Sequence, residues 1–273
     1  MNSSRTQTQK SPLIELYEKV GKPICELFHV WSTMPRLFFK TLSYLGEAKS
    51  WRWPEISQSI VQYGLGSLPI ITMSTAFGGI VVTHQMAWHM KLSLHDVSMI
   101  PGFIGQFILR ELGIAIPATL LVAKAGASMT AEIGSMKTTE QIDALKLLGI
   151  DPVRYLVFPR FVACIVSGAC LALIASSVTL ACSIAVAVTY YHFSFIEFIN
   201  ALRHFIGPKD VLCTLVKGCI FGATIPIISC AYGFQCKGGA EGVGSATTNA
   251  VVTATSTIIL FDFLLTYIFT FIF

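Results

Sequence analysis

Long apolar runs broken by short polar stretches dominate this chain. From Phe161 to Val188 there is no charged residue, and from Gly242 to Phe273 the only one is Asp262. An apolar run of about 18 residues or more is long enough to cross a bilayer. The pattern predicts five spans, at about Tyr63–Thr83, Met99–Ala123, Leu156–Tyr190, Val211–Tyr232 and Ala250–Phe273. The third is longer than the roughly 20 residues a bilayer needs, so it must tilt, bend or project. The expected fold class is an all-α integral membrane protein.

Two stretches depart from that pattern. Residues 1–10 are polar and read as a disordered tail, and residues 11–55 as an interfacial region. There Leu13, Tyr17, Val20, Ile24, Leu27, Phe28 and Trp31 form one apolar helical face among scattered lysines. That suits an amphipathic helix lying in the membrane interface, with Trp51 and Trp53 at its edge. The second stretch is a polar island, Ala131–Arg160, between spans two and three. Thr138 and Gln141 have the spacing of a capping box, and Ile142, Leu145 and Leu148 recur at helical spacing. Gly149 reads as a left-handed C-terminal cap, and Asp151-Pro152 as N-cap and first-turn proline of the next helix. A short helix over about 139–148 is therefore expected.

Composition agrees: 53% of residues are hydrophobic and 12% charged, about half the charge of a soluble domain. The net charge of +4 does not point to nucleic acid; its distribution sets topology. With the N-terminus inside, fourteen Lys and Arg fall on the cytoplasmic side and three outside, as the positive-inside rule requires. The island then faces the cytoplasm. The first long apolar run begins near Tyr63, too late for a secretory leader. The eight cysteines include no C-x-x-C pair and read as small hydrophobes. His84, His89, His95, His192 and His204 fall on the outer side without metal-ligand spacing.

Four charges lie inside spans: Arg110, Glu111, Lys217 and Asp262. Each costs roughly 2.5–3.5 kcal/mol at a helix centre, so such residues are paired or line a cavity. Adjacent residues diverge by about 100° on a helix, so Arg110 and Glu111 need different partners. Lys217 is a candidate partner for Glu111, while Asp262 has no basic residue near it in sequence. The segment from Gly238 to Gly244 is glycine-rich but lacks the G-K-[ST] ending of a phosphate loop, and reads as a flexible turn before the fifth span. Any ATP must therefore bind another chain. No nucleophile–base constellation is visible, so an enzyme is not expected.

Four stretches resemble the MlaE (YrbE) family of ABC-transporter permeases, the membrane subunits of the Mla phospholipid-transport system. They are SLPIITMSTAFGGIVVTHQ (67–85), RELG (110–113), AGASMTAEIGSMKTTEQIDALKLLGIDPVRYLVFPRFVA (125–163) and GAEGVGSATTNAVV (239–252) with Asp262 beyond. The resemblance implies a permease domain over 56–273 and a homodimer of five-span subunits in the bacterial inner membrane, N-terminus cytoplasmic. It implies a cytoplasmic ABC ATPase with a STAS-domain subunit, an MCE-domain periplasmic protein and a phospholipid substrate. No cofactor is expected in this chain, ATP and magnesium belonging to the ATPase. The short helix would be the coupling helix, meeting the ATPase through Glu132, Met136, Thr139, Glu140, Asp143, Leu145 and Lys146. Arg110, Glu111, Lys217 and Asp262 would line the lipid path. Two departures stand out: Ala123-Lys124 replaces the family's Gly-Arg, and Ile114 replaces a proline after RELG, with Pro117 three residues on. Two other readings remain open, an ion- or proton-coupled secondary transporter using the intramembrane charges and a structural anchor for cytoplasmic partners.

Overall fold

A computed structural model describes residues 32–47, 50–93, 100–191 and 193–272. The elements are α1 (32–43), α2 (Trp53–His89), α3 (Ile100–Thr138), α4 (Gln141–Leu147), α5 (Val153–Tyr191), α6 (Phe195–Phe205), α7 (Pro208–Phe234) and α8 (Gly239–Phe271). Five of them are long and apolar enough to cross a membrane, matching the five expected spans, and no strand occurs among the described residues. Residues 1–31, with the expected tail and most of the interfacial face, lie outside the described residues. Helix α1 buries Leu37 and Thr41, packs Met34 and Phe38 on the core, and exposes Phe39. Trp51 and Trp53 stand 5.5 Å apart, with Trp51 edge-on to Phe158.

Helix α7 is the centre of the bundle, flanked by α3, α5 and α8. Small residues let it approach α5 closely. A Cβ on Gly222 would lie 2.3 Å from the Cys164 carbonyl oxygen, and one on Gly168 2.7 Å from that of Gly218. This is the close crossing that small residues four apart permit in membranes, where dispersion contacts rather than water expulsion hold helices together. Phe161, Phe221, Ile225 and Ile114 fill the core between these helices, whereas α2 and α8 turn much of their apolar surface outward.

Three expectations need correction. The helix of the second span does not end near Ala123, because α3 continues unbroken to Thr138. Ala125, Met129 and Ile133 are buried at a spacing of four, while Lys124, Ser128 and Glu132, about 100° round the helix, are exposed. That period keeps the helix going past the apolar run. At 39 residues, α3 and α5 are each about 58 Å long, well beyond the roughly 30 Å of hydrocarbon.

The capping box does not form. The Thr138 and Thr139 hydroxyls both donate back to the Ser135 carbonyl, at 3.0 and 2.8 Å, closing α3 instead of opening α4. Helix α4 is shorter than expected, starting at Gln141 after Glu140 turns the chain with φ of 60°. That left-handed conformation costs a non-glycine residue roughly 1–2 kcal/mol. The C-terminal signal holds: Gly149 has φ of 74°, and Ile150 and Gly149 donate their N–H groups to Leu145 and Lys146 carbonyls, both at 3.0 Å. This is the Schellman arrangement. Asp151 caps α5, accepting the Val153 N–H at 2.9 Å.

The third correction concerns the glycine segment. Gly238 and Gly239 make the turn with positive φ, but α8 begins at Gly239, so Gly242 and Gly244 are helical. Val243 packs near Gly134 of α3, which ties the start of α8 to the bundle.

Candidate functional site

Helix α3 is locally widened into a π turn over Ile108–Leu112. Such bulges disturb the regular carbonyl ladder and are frequent at functional sites. Here two carbonyls of the turn serve α7: Leu109 accepts the Thr214 hydroxyl at 2.7 Å, and Arg110 accepts the Lys217 ammonium at 2.9 Å. The same turn carries the side chains of Arg110 and Glu111, which diverge as their adjacency requires.

Lys217 is fully buried. Its Nζ lies 2.7 Å from Asp262 Oδ1, 2.7 Å from Thr266 Oγ1 and 3.3 Å from Glu111 Oε1. Thr266 donates its own hydroxyl to Glu111 Oε1 at 2.8 Å. One lysine therefore joins carboxylates from α3 and α8. Arg110 turns the other way, its Nε donating to Asp210 Oδ1 at 2.7 Å. Asp210 is buried and has a second duty, since its Oδ2 accepts the Gly207 N–H at 2.8 Å and so closes the start of α7. A small cavity of about 40 Å³ lies among Arg110, Asp210, Cys213, Lys217 and Thr266. It has room for water, not for a lipid headgroup.

All four intramembrane charges singled out from the sequence thus fall in one region. Sequence reasoning missed Asp210, Thr214 and Thr266. Thr266 follows Asp262 by four residues and Asp210 precedes Lys217 by seven, spacings that share a helical face. That periodicity was the available signal.

A second cluster lies further along α3. Arg160, buried at the start of α5, holds Glu132 at 2.7 Å, and Tyr63 of α2 donates to the other Glu132 oxygen at 3.4 Å. Glu132 therefore points to α5 and α2, away from α4. Lys124 spends its ammonium on the Gly66 carbonyl, where α2 narrows to a 3-10 turn.

At the end of α3, Ile142 is buried and Leu145 packs on the core, while Leu147 and Leu148 are 91% and 75% exposed. The inner face of α4 is thereby assigned to its own bundle. Thr139, Glu140 and Lys146 are exposed, and Met136 and Asp143 partly so. Lys137 and Lys146 each donate to Asp143 at 2.8 Å, and these bonds hold its carboxyl down at about 2. Burial pushes Asp151 up, but bonds from Lys40, Tyr44 and the Val153 N–H outweigh it and the carboxyl stays below its ordinary value. Burial, then the Asp151 bond, pushes the Tyr44 phenol to about 12.

At the far end of the bundle Tyr191 contacts His84 Nδ1 at 3.0 Å, and Gln85 meets His89 at 3.0 Å. His95 and His192 lie outside the described residues.

Comparison with known proteins matches residues 56–268 to the family described as Permease MlaE. A "Probable ABC transporter permease protein" of Rickettsia felis is 36% identical over 214 residues, 78% of this chain and 82% of its own. The "Probable ABC transporter permease protein ycf63" of Pyropia yezoensis is 37% identical over 237 residues, 87% and 89% of the two chains. A Synechocystis permease protein with the same "probable" description is 34% identical over 205 residues, 75% and 78%. With the five long apolar helices and the charges gathered inside them, these likenesses establish that the chain is a multi-pass ABC-transporter permease of the MlaE family.

Proposed function

We propose that this chain is the membrane subunit through which a separate cytoplasmic ATPase drives phospholipid, or a related lipid, between the inner membrane and a periplasmic MCE-domain carrier. The observation that carries this reading is the continuity of α3. One helix bears Arg110 and Glu111 within the membrane-spanning bundle and delivers α4 at its end. From Glu111 to Thr138 it runs roughly 40 Å at 1.5 Å per residue. A push on α4 therefore reaches the Lys217 cluster without crossing a flexible loop.

In this reading α4 is the coupling helix. Its contact surface is the outward side, Leu147 and Leu148 with Thr139, Glu140 and Lys146, while Ile142 and Leu145 anchor it to its own bundle. The N-terminus is cytoplasmic, as the bias of Lys and Arg supports. Two copies form the transporter, each binding an ATPase that carries a STAS-domain subunit, and the polar clusters of Arg110, Glu111, Lys217 and Asp262 line the lipid path. ATP and magnesium bind the partner.

The test is co-purification with the candidate ATPase, followed by lipid-stimulated ATPase and lipid-transfer assays. Leu147→Asp/Leu148→Asp is expected to release the ATPase, and Glu111→Gln to keep the ATPase bound while lowering transfer. Normal binding and coupling in the leucine variant would show that α4 is not the contact.

A further inference from the structure

Beside α4 lies a concavity of about 550 Å³, within the range of roughly 300–1,000 Å³ common to small-molecule sites. Ile142, Ile150 and Phe234 form its apolar lining. Three lysines reach it from separate elements: Lys40 of α1, Lys137 at the end of α3 and Lys146 of α4. Carboxylates orient all three. Lys40 lies 2.5 Å from Asp151, and Lys137 and Lys146 take one oxygen each of Asp143 at 2.8 Å.

Three ammonium groups against two carboxylates leave one positive charge. Each ammonium has three N–H donors and gives one to these aspartates, so most of the donor capacity remains for a bound anion. Asp151 is further committed to the Val153 N–H and the Tyr44 hydroxyl, and the low protonation of both aspartates keeps this scaffold charged at neutral pH. The lysine side chains are 30–57% exposed, free enough to swing toward a ligand.

The position selects the kind of anion. The lining residues Val153 and Phe234 are where α5 begins and α7 ends, and α1 exposes Phe39 and Leu42 nearby. In the membrane placement proposed above, that end of the bundle meets the cytoplasmic surface, the level of lipid phosphates. Basic pockets between membrane helices at that level suit anionic headgroups. We infer that this concavity binds the phosphate of an anionic lipid headgroup, its Phe234 wall lying about 25 Å of helix axis from Lys217 along α7. It rests on the membrane placement in the proposed function but needs neither the ATPase nor transport.

The experiment is native mass spectrometry of the purified full chain released from micelles containing phosphatidylglycerol or phosphatidylcholine, with and without millimolar inorganic phosphate. Retention of phosphatidylglycerol is expected to fall roughly tenfold in Lys40→Gln/Lys137→Gln/Lys146→Gln, the loss of about 1.4 kcal/mol of charge-assisted bonding. The matching triple arginine variant is expected to keep it, as is Lys237→Gln, an exposed lysine elsewhere on the same end. Displacement of the lipid by inorganic phosphate would identify free phosphate as a ligand of the same site. Equal retention of both lipids, or no change in the triple glutamine variant with its helicity intact, would overturn the proposal. Failure to bind the ATPase alongside a positive lipid result would instead sink the transport reading and leave this one standing.

Discussion

Replacing Lys217 by Met removes the only ammonium that the Glu111 and Asp262 carboxylates share among the described contacts. Methionine matches the length of lysine and fits the buried slot, so the change is electrostatic rather than steric. Left behind are two largely buried carboxylates without their shared cation, a threonine hydroxyl without its 2.7 Å donor, and the Arg110 carbonyl of the π turn without its 2.9 Å donor. Breaking a buried pair by removing one partner costs about 3–5 kcal/mol. At about 2–4 °C per kcal/mol for a chain approaching this size, the expected fall in Tm is roughly 6–20 °C. The assay is thermal unfolding in a mild detergent, followed by size-exclusion fluorescence. The partner experiment is Lys217→Met/Asp262→Asn, which removes one stranded carboxylate and is expected to recover a good part of the loss. A single variant melting within about 2 °C of the parent, or a double variant no better than the single, would refute this account of what Lys217 does.

Other expectations can be checked with the same material. Leu147→Asp/Leu148→Asp is expected to leave stability within about 0.5 kcal/mol of the parent, since exposed positions away from buried features tolerate change; a large fall in Tm would mean that the bundle covers these leucines. Gly222→Leu places side-chain atoms where a Cβ alone would lie 2.3 Å from the Cys164 carbonyl, so α5 and α7 must separate and stability should drop by more than the about 1–3 kcal/mol of ordinary overpacking. Gly222→Ala already places a Cβ in that contact, and a parental Tm for both variants would refute the close crossing. The Asp143 carboxyl is held near 2 against about 3.9 for a free aspartate. Its folded value is the depressed one, so its contribution is complete above about pH 4 and is lost as pH falls toward 2. Carbon-13 titration of labelled aspartate is expected to show that low midpoint, rising toward the ordinary value in Lys137→Gln/Lys146→Gln.

Much of the architecture was legible because a bilayer imposes a strong signal on sequence. Long apolar runs located all five long helices, and the lysine–arginine bias yielded a topology. The Lys217–Glu111 pairing followed from the cost of isolated intramembrane charge. The partner of Asp262 escaped because Lys217 lies 45 residues away, on α7, and only packing brings them together. Asp210 escaped because it sits at the mouth of a span, where a charge needs no special explanation. The ends of helices were the weakest reading. The second span reads as stopping at Ala123, before Lys124, yet Ala125, Met129 and Ile133 stay buried and carry the helix on to Thr138. At Thr138 a spacing rule competed with a local alternative, and the bond from its hydroxyl to the preceding turn won. The π turn at Ile108–Leu112 has no sequence signature of comparable strength, though it sets which way Arg110 and Glu111 point.

Lys217 has three hydrogens and four oxygen neighbours: the Arg110 carbonyl, Glu111, Asp262 and Thr266. The ammonium is therefore over-subscribed, and the Glu111 contact at 3.3 Å is the one stretched in this arrangement. A small slide of α8 along α3 can trade that long contact for another without stripping the charge of its solvation. The joint between these helices is held firmly and yet is not committed to a single register.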